Sequence, residues 1–262
     1  MLSWARRDPS PRTGLLLPHS TLAPSRRKRS LTDPSHELDL SSPRTIGQIL
    51  DAAFRLYGRR PLRFISLAAI VMVPYGLVTV LVSNSKHVST ATDFVLLLAD
   101  LALVNPFVSA LQMQAVLDLG HGVRPAIPDV VRRGVKVLAV VAAADIIAGL
   151  TEFVGLLVFV IPGILAAVRL AVVAPAAASE PITWPEAIRR SLSLTHGNFW
   201  RVLGLLVIQA VLLYLVAAIV AAGTIAVAIV GAVLAAVPQS FCTLLINLLY
   251  FDLRARQVAP VA

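Results

Sequence analysis

The stretch "TWPEAIRRSLSLTHGNFWR", residues 183–201, decides the fold because it joins a basic amphipathic segment to a long apolar one. Residues 202–250, which follow directly, contain no Asp, Glu, Lys, Arg or His. In the basic segment at the start of residues 183–201, helical spacing places apolar residues on one face and polar residues on the other. This pattern is typical of a helix lying among lipid headgroups. We therefore predict an interfacial helix at the inner membrane surface, leading into membrane-spanning sequence. Its apolar face comprises Trp184, Ala187, Ile188 and Leu192, and its polar face Glu186, Arg189, Arg190 and Ser193.

The composition of the whole chain agrees with a membrane protein. Of its 262 residues, 57% are hydrophobic and 14% are charged, whereas soluble domains are about 45–50% apolar and about 25% charged. The net charge of +9 comes from short basic runs between apolar blocks, so we expect these charges to meet anionic lipid headgroups and not nucleic acid. The single cysteine, Cys242, excludes an intrachain disulfide and a cysteine metal site.

Six apolar segments are long enough to cross a bilayer, which takes about 20 helical residues. Residues 136–178 are too many for one span, and Pro162 and Gly163 are expected to turn the chain between two spans. Residues 202–250 also hold two spans, which we expect to reverse near residues 222–224. The first two spans are residues 62–82 and 94–117, the second interrupted by Asp100 and by Asn105 with Pro106.

The distribution of basic residues predicts the orientation. Fourteen of the sixteen Lys and Arg residues from Arg44 onward lie in segments that six alternating spans place on the side of the N-terminus. Basic residues favour the cytoplasmic side, so we expect a multi-pass inner-membrane protein with both termini in the cytoplasm. Residues 1–44, rich in Pro, Ser and Arg, are predicted to be a disordered tail. Residues 45–256 then form the membrane domain and residues 257–262 a short cytoplasmic tail.

Three segments align without gaps: "IGQILDAAFRLY" at residues 46–57, "IPDVVRRGVKVL" at 127–138 and "WPEAIRRSLSLT" at 184–195. They predict three hairpins of spans, each preceded by an interfacial helix; the alternative is that any protein with several spans has basic inner loops. Six arginines in or beside these segments are expected to contact anionic headgroups. These are Arg59, Arg60, Arg132, Arg133, Arg189 and Arg190.

The first and third segments have a helix-start signal that the second lacks. Thr45 precedes the first segment and Thr183 the third, each with Gln or Glu three residues later. This is the capping-box pattern, in which the two side chains satisfy free amides at a helix start. The second segment has Ala126 at this position. Gly58 and Gly197 are expected to end the first and third interfacial helices.

Four stretches together carry a resemblance: "RTIGQILDAAFRLYGRRPLRF", "IPGILAAVRLAVVAPAAASE", "WPEAIRRSLSLTHGNFWRVLG" and "LLYFDLRAR". With these, residues 44–256 resemble the membrane domain found with some bacterial glycerophosphodiester phosphodiesterases, and a wide set of six-span bacterial membrane proteins. The resemblance implies a six-span topology. In the fused phosphodiesterases a separate soluble barrel carries the chemistry, and we expect this chain to lack that domain.

The sequence contains no nucleophile elbow, phosphate-binding loop, zinc-ligand spacing or dinucleotide fingerprint. All five histidines lie outside the predicted spans. We therefore expect neither an enzyme nor a cofactor.

Charges inside the spans are the best functional candidates, because charge is costly in hydrocarbon. Glu152 and Arg169 are predicted to lie at similar depths on either side of the turn, and to form a buried ion pair. Asp100 and Asp145 have no obvious partner and are the candidate functional acids.

Three functions remain open at this point. The favoured one is an accessory or scaffold membrane domain linked to envelope or lipid metabolism, acting with a membrane-protein partner or a second copy of the chain. The alternative is a small transporter or lipid-handling protein that uses the four intramembrane charges. A membrane-embedded hydrolase is the third.

Overall fold

The computed structural model is all-helical over the residues it describes, which are 42–59, 61–83, 89–123, 126–221 and 228–258. The turn predicted near residues 222–224 and nearly all of the predicted tail lie outside these ranges. A π-helical segment, Asp100–Val104, joins the third helix to the fourth. The helices are α1 Ile46–Arg59, α2 Pro61–Ser83, α3 Thr90–Ala99, α4 Asn105–Gly120, α5 Ile127–Val158, α6 Val160–Leu170, α7 Val173–Ser179, α8 Trp184–Thr195, α9 Phe199–Ala221 and α10 Ala228–Val258.

Within the described ranges, five helical segments are long and apolar enough to cross a membrane. The helices α8 and α9 make a sixth candidate when taken together, with a bend of 108° between them. The chain is therefore a multi-pass membrane protein, as the composition predicts. The five segments are Pro61–Val82, Thr90–Gly120, Ile127–Val158, Val160–Ser179 and Ala236–Val258.

The two predicted capping boxes are both formed. At the start of α1 the backbone N–H of Thr45 donates to Gln48 Oε1 at 2.8 Å, and the backbone N–H of Gln48 donates to Thr45 Oγ1 at 3.2 Å. At the start of α8 the Glu186 carboxylate accepts from the backbone N–H of Thr183 at 2.7 Å. These local bonds fix where both helices begin.

The second of the three aligned segments is not a separate helix. It forms the first turns of α5, which continues without a break for 32 residues. Its N-cap, Ala126, makes no side-chain capping bond, and the residues that follow the segment include four alanines up to residue 144, the residue with the highest helix propensity. By contrast, Gly197 takes a positive φ of 79° just after α8. Gly58 lies inside α1 and does not end it.

The turn between α5 and α6 lies at Phe159, which has extended backbone angles. The prediction that Pro162 and Gly163 form the turn is wrong: both belong to the first turn of α6, where proline needs no amide partner. Gly163 instead allows close packing, since a Cβ on Gly155 would lie 2.9 Å from the Cα of Gly163. The two glycines therefore permit the sharp turn, although they do not make it.

The core is built around α4 and the second half of α10. In α4 nearly every side chain from Val108 to Val116 is buried, whichever way it points, so this helix is surrounded by protein. Two of its buried amides bond to other helices: Gln112 Nε2 donates to Ser240 Oγ at 2.8 Å, and Gln114 Nε2 donates to the carbonyl of Ala178 at 2.8 Å. These bonds fix the position of α4 relative to its neighbours.

The helices α1 and α8 each bury one face against this core. In α8 the buried residues are Ala187, Ser191, Leu194 and Thr195, while Trp184 and Leu192 are 44% and 39% exposed. The buried face is thus rotated from the apolar face that the sequence predicts, because the hydroxyls of Ser191 and Thr195 bond to the backbone carbonyl of Arg169 in α6. In α1 the buried face comprises Ile49, Ala53 and Leu56.

Candidate functional site

A cavity of about 270 Å³ lies among the helices, and its lining is unusually polar for a membrane domain. We call it the acidic cavity. It is lined by residues of α4, α5, α6, α9 and α10. Residues of the π-helical segment before α4, and of the break and the helix α7 after α6, line it as well. Its polar lining residues are Asn105, Ser109, Asp145, Glu152, Gln209, Gln239 and Thr243.

Two carboxylates from α5 face the acidic cavity. Asp145 and Glu152 are seven residues apart, so they share one face of the helix about 10 Å apart along its axis. Ala148 and Gly149 lie between them and also line the cavity, and their small size leaves room for a guest. In the described part of the chain neither carboxylate forms a salt bridge. The cavity therefore carries two acidic groups that no basic side chain of the described residues compensates.

Neutral amides also line the acidic cavity. Gln239 Nε2 of α10 donates to Asn105 Oδ1 at 2.7 Å, and Asn105 Nδ2 donates to Asp100 Oδ2 at 3.0 Å. Asp100 does not line the cavity itself, but this chain of bonds connects it to the cavity wall. Gln209 of α9 lines the cavity with a buried Oε1 that has no hydrogen-bond partner among the described residues. An unsatisfied buried acceptor of this kind can receive a proton donor from a guest.

The backbone is irregular at two places beside the acidic cavity, and a third helix there contains a proline. The π-helical segment Asp100–Val104 contains Leu101, a lining residue, and ends just before Asn105. The helices α6 and α7 are separated by Ala171 and Val172. In α10, Pro238 precedes the lining residue Gln239. In membrane proteins irregular backbone is tolerated where it lines a cavity or is buried in protein, and π segments often lie at functional sites.

The predicted ion pair between Glu152 and Arg169 is not formed. Glu152 faces the acidic cavity, whereas Arg169 lines a different pocket on the other side of Ala148 and Leu170, which border both. The prediction used depth alone. Depth does not fix the rotation of a side chain about its helix axis, and these two side chains point to different sides of the contact between α5 and α6.

The predicted headgroup-contacting arginines divide into two groups. Arg133 pairs with Asp118 of α4, and Arg190 pairs with Glu180 at 3.2 Å, so these two hold protein segments together. Among the others, Arg132 forms only an exposed pair with Asp129, three residues before it. Arg59 and Arg189 are exposed, and Arg60 lies outside the described residues.

The sequence interpretation missed a buried acid at the end of α10. Asp252, whose side chain is 0% exposed, pairs with Arg201 at 2.9 Å and with Arg256 at 3.1 Å. It also accepts the backbone N–H of Arg44 just before α1. The signal was available in "FDLRAR", where an acid stands between an apolar run and two arginines. Its partner Arg201 is one of the fourteen basic residues whose distribution predicts the orientation.

A second acid, Glu180, was also missed. It follows α7 and accepts hydrogen bonds from the Tyr250 hydroxyl of α10 and from Arg190 of α8. Arg190 in turn bonds to Gln257 at 3.1 Å. These hydrogen bonds hold α8 against the end of α10.

No family model matches the chain, and neither a curated protein nor a solved structure matches it. The resemblance to the membrane domain found with phosphodiesterases therefore stays a prediction. Function has to be argued from the site itself.

Proposed function

We propose that this chain binds a small cation in the acidic cavity and passes it across the membrane. The observation that carries the proposal is the pair Asp145 and Glu152, two carboxylates that share a cavity with no basic partner among the described residues. Ionisable groups inside membrane proteins are costly and usually mark the paths of substrates, ions or protons.

The size and lining of the cavity favour a small hydrated or hydrogen-bonding cation. Its 270 Å³ corresponds to about nine water volumes of about 30 Å³ each. The amide oxygens of Asn105, Gln209 and Gln239 are hard donors of the kind that coordinate alkali ions, and they also accept bonds from an ammonium group. We therefore propose a hydrated monovalent cation or a small protonated amine.

Irregular helices beside the cavity support movement of the bound cation. Breaks and π segments let helices bend at a fixed point, and transporters commonly place their binding sites between such interrupted helices. In this chain the break at Ala171 and Val172 lies in the cavity wall or directly beside it. We propose that bending there opens the cavity to one side.

We propose the orientation that the distribution of basic residues predicts, in which the chain lies in the inner membrane with both termini in the cytoplasm. The proposed three hairpins and the surface position of α1 and α8 belong to the same arrangement. Cysteine labelling on a Cys242→Ala background tests it: a cysteine at position 189 should react only from the inside. Reaction from the outside contradicts this topology.

The transport proposal is tested with the full-length chain in liposomes. Uptake of rubidium and of methylammonium is measured for the wild type, Asp145→Asn and Glu152→Gln at matched protein content. We expect uptake of at least one cation by the wild type, and a loss of about tenfold or more in both variants. Asp129→Asn, which removes a surface carboxylate from the same helix, is the control and should transport normally. Equal uptake by all four proteins refutes the proposal.

An accessory function is the second candidate, and the exposed arginines favour it. Arg55, Arg59, Arg132 and Arg189 lie at the surface on helices that the topology places at the inner side. Such a surface suits anionic headgroups or an acidic membrane partner. Neutralising these arginines should impair an accessory function and leave cation uptake unchanged, whereas the cavity variants should do the reverse.

A further inference from the structure

A second pocket of about 350 Å³ lies between α5, α6 and α8, on the side of α6 away from the acidic cavity. Its walls are almost entirely apolar. We call it the Arg169 pocket, because this arginine supplies its charge. Its principal apolar lining residues are Ile147, Pro162, Leu165, Ile188 and Leu192, and Arg169 also lines it.

Arg169 has no acidic partner within salt-bridge distance in the described part of the chain. Its backbone, by contrast, is firmly held. The Arg169 carbonyl accepts hydrogen bonds from Ser191 Oγ at 2.8 Å and from Thr195 Oγ1 at 3.2 Å, both on α8. The pocket is therefore preformed by two bonded helices, and it contains a guanidinium group that no acidic side chain of the described residues compensates.

We propose that the Arg169 pocket binds an anionic phospholipid of the surrounding bilayer. The phosphate pairs with the guanidinium, which suits it in geometry and charge, and an acyl chain covers the apolar walls. The pocket is open to lipid at its rim, where Leu165 is 46% and Leu192 is 39% exposed. Phosphatidylcholine carries the same phosphate, but its choline cation competes with Arg169 for it and leaves the bound guanidinium without a net counter-charge; a free phosphate would leave the apolar walls empty.

This site is independent of cation transport. Ala148 and Leu170 border both pockets and separate them, so a lipid in the Arg169 pocket does not enter the acidic cavity. Loss of lipid binding and loss of cation uptake can therefore be measured separately.

The test is native mass spectrometry of the full-length chain in detergent, titrated with phosphatidylglycerol, with phosphatidylcholine of the same acyl chains, and with inorganic phosphate. We expect the wild type to retain phosphatidylglycerol in preference to the other two. Arg169→Gln should weaken phosphatidylglycerol binding about tenfold, the usual scale for losing one charged hydrogen-bonding partner. Arg169→Lys, which keeps the charge, should retain most of the preference.

Two further variants separate the pocket from general surface charge. Arg189→Gln removes an exposed arginine of α8 that does not line the pocket, and it should weaken phosphatidylglycerol binding much less than Arg169→Gln does. Ala166→Phe keeps Arg169 but fills the pocket, and it should lose phosphatidylglycerol. The proposal is overturned if Arg169→Gln, eluting as a folded protein, keeps the wild-type preference. Normal phosphatidylglycerol binding by Ala166→Phe, or equal retention of inorganic phosphate by the wild type, also overturns it.

Discussion

Asp252 near the end of α10 lies 2.9 Å from the guanidinium of Arg201 at the start of α9. The same carboxylate holds Arg256, one turn further along α10. Both arginines also donate to the backbone carbonyl of Arg44, just before α1. One buried acid thus joins the beginnings of two helices to the end of a third. This explains how the start of α1 is held against distant parts of the sequence.

Replacing Asp252 with Asn should destabilise the protein by about 2–4 kcal/mol. This is somewhat below the ~3–5 kcal/mol for breaking a fully buried pair, because both arginines remain partly exposed to solvent. The measurement is unfolding in detergent, followed by circular dichroism. Asp51→Asn removes a surface pair with Arg55 and should change stability by less than about 1 kcal/mol. Similar losses in the two variants would contradict a special role for Asp252.

The sequence predicts features that depend on neighbouring residues. Membrane helices follow from runs of apolar residues, and the starts of α1 and α8 follow from Thr45 with Gln48 and from Thr183 with Glu186. Interactions between distant segments are less accessible. Arg133 and Arg190 look like headgroup contacts because their partners Asp118 and Glu180 lie in other elements.

The acidic cavity was only partly predictable for the same reason. Asp145 and Glu152 stand out because charge is rare in hydrocarbon. Gln209 and Gln239 do not, because a neutral amide is tolerated in an apolar helix and attracts no attention alone. Only the fold brings these four side chains to one cavity.

Gly163→Ala should destabilise the turn between α5 and α6. A Cβ at this position would lie 2.7 Å from the backbone nitrogen of Leu156, so the two helices would have to move apart. We expect a cost of about 1–3 kcal/mol, as for other overpacked contacts, measured as a lower unfolding midpoint in detergent. Gly149→Ala is the matched control, because its nearest neighbour atom would lie 3.7 Å away. An equal loss of stability at both positions would indicate that glycine is needed for bending of the helix and not for the close contact between α5 and α6.

Thr45→Ala should loosen the start of α1. It removes the hydroxyl that accepts the backbone N–H of Gln48, and loss of such a cap costs about 1 kcal/mol. Thr45→Ser keeps the hydroxyl and should behave like the wild type. Hydrogen exchange of the first amides of α1 is the readout, and exchange should be faster only in the alanine variant. Unchanged exchange in Thr45→Ala would mean that the contacts around Asp252 fix the helix start without the cap.

Glu152→Gln should leave the protein as stable as the wild type or make it more stable. Glu152 is a half-buried carboxylate with no basic partner among the described residues, so it has lost part of its hydration without compensation, and a neutral amide of the same shape avoids that cost. Residues that serve a protein's activity often lower the stability of its folded state. The variant should therefore fold well and lose cation uptake.

The double variant Glu152→Gln with Arg169→Gln tests whether the two side chains act independently or as a structural ion pair. The two side chains line different pockets, so their effects on the free energy of unfolding should add to within about 0.5 kcal/mol. A buried pair would give a different result: each single variant would lose stability, and the double variant would lose less than their sum. The four proteins are compared by unfolding in the same detergent, after gel filtration confirms that each is folded. If the two changes are additive and Glu152→Gln alone abolishes uptake, the carboxylate serves the cavity and not the packing of α5 against α6.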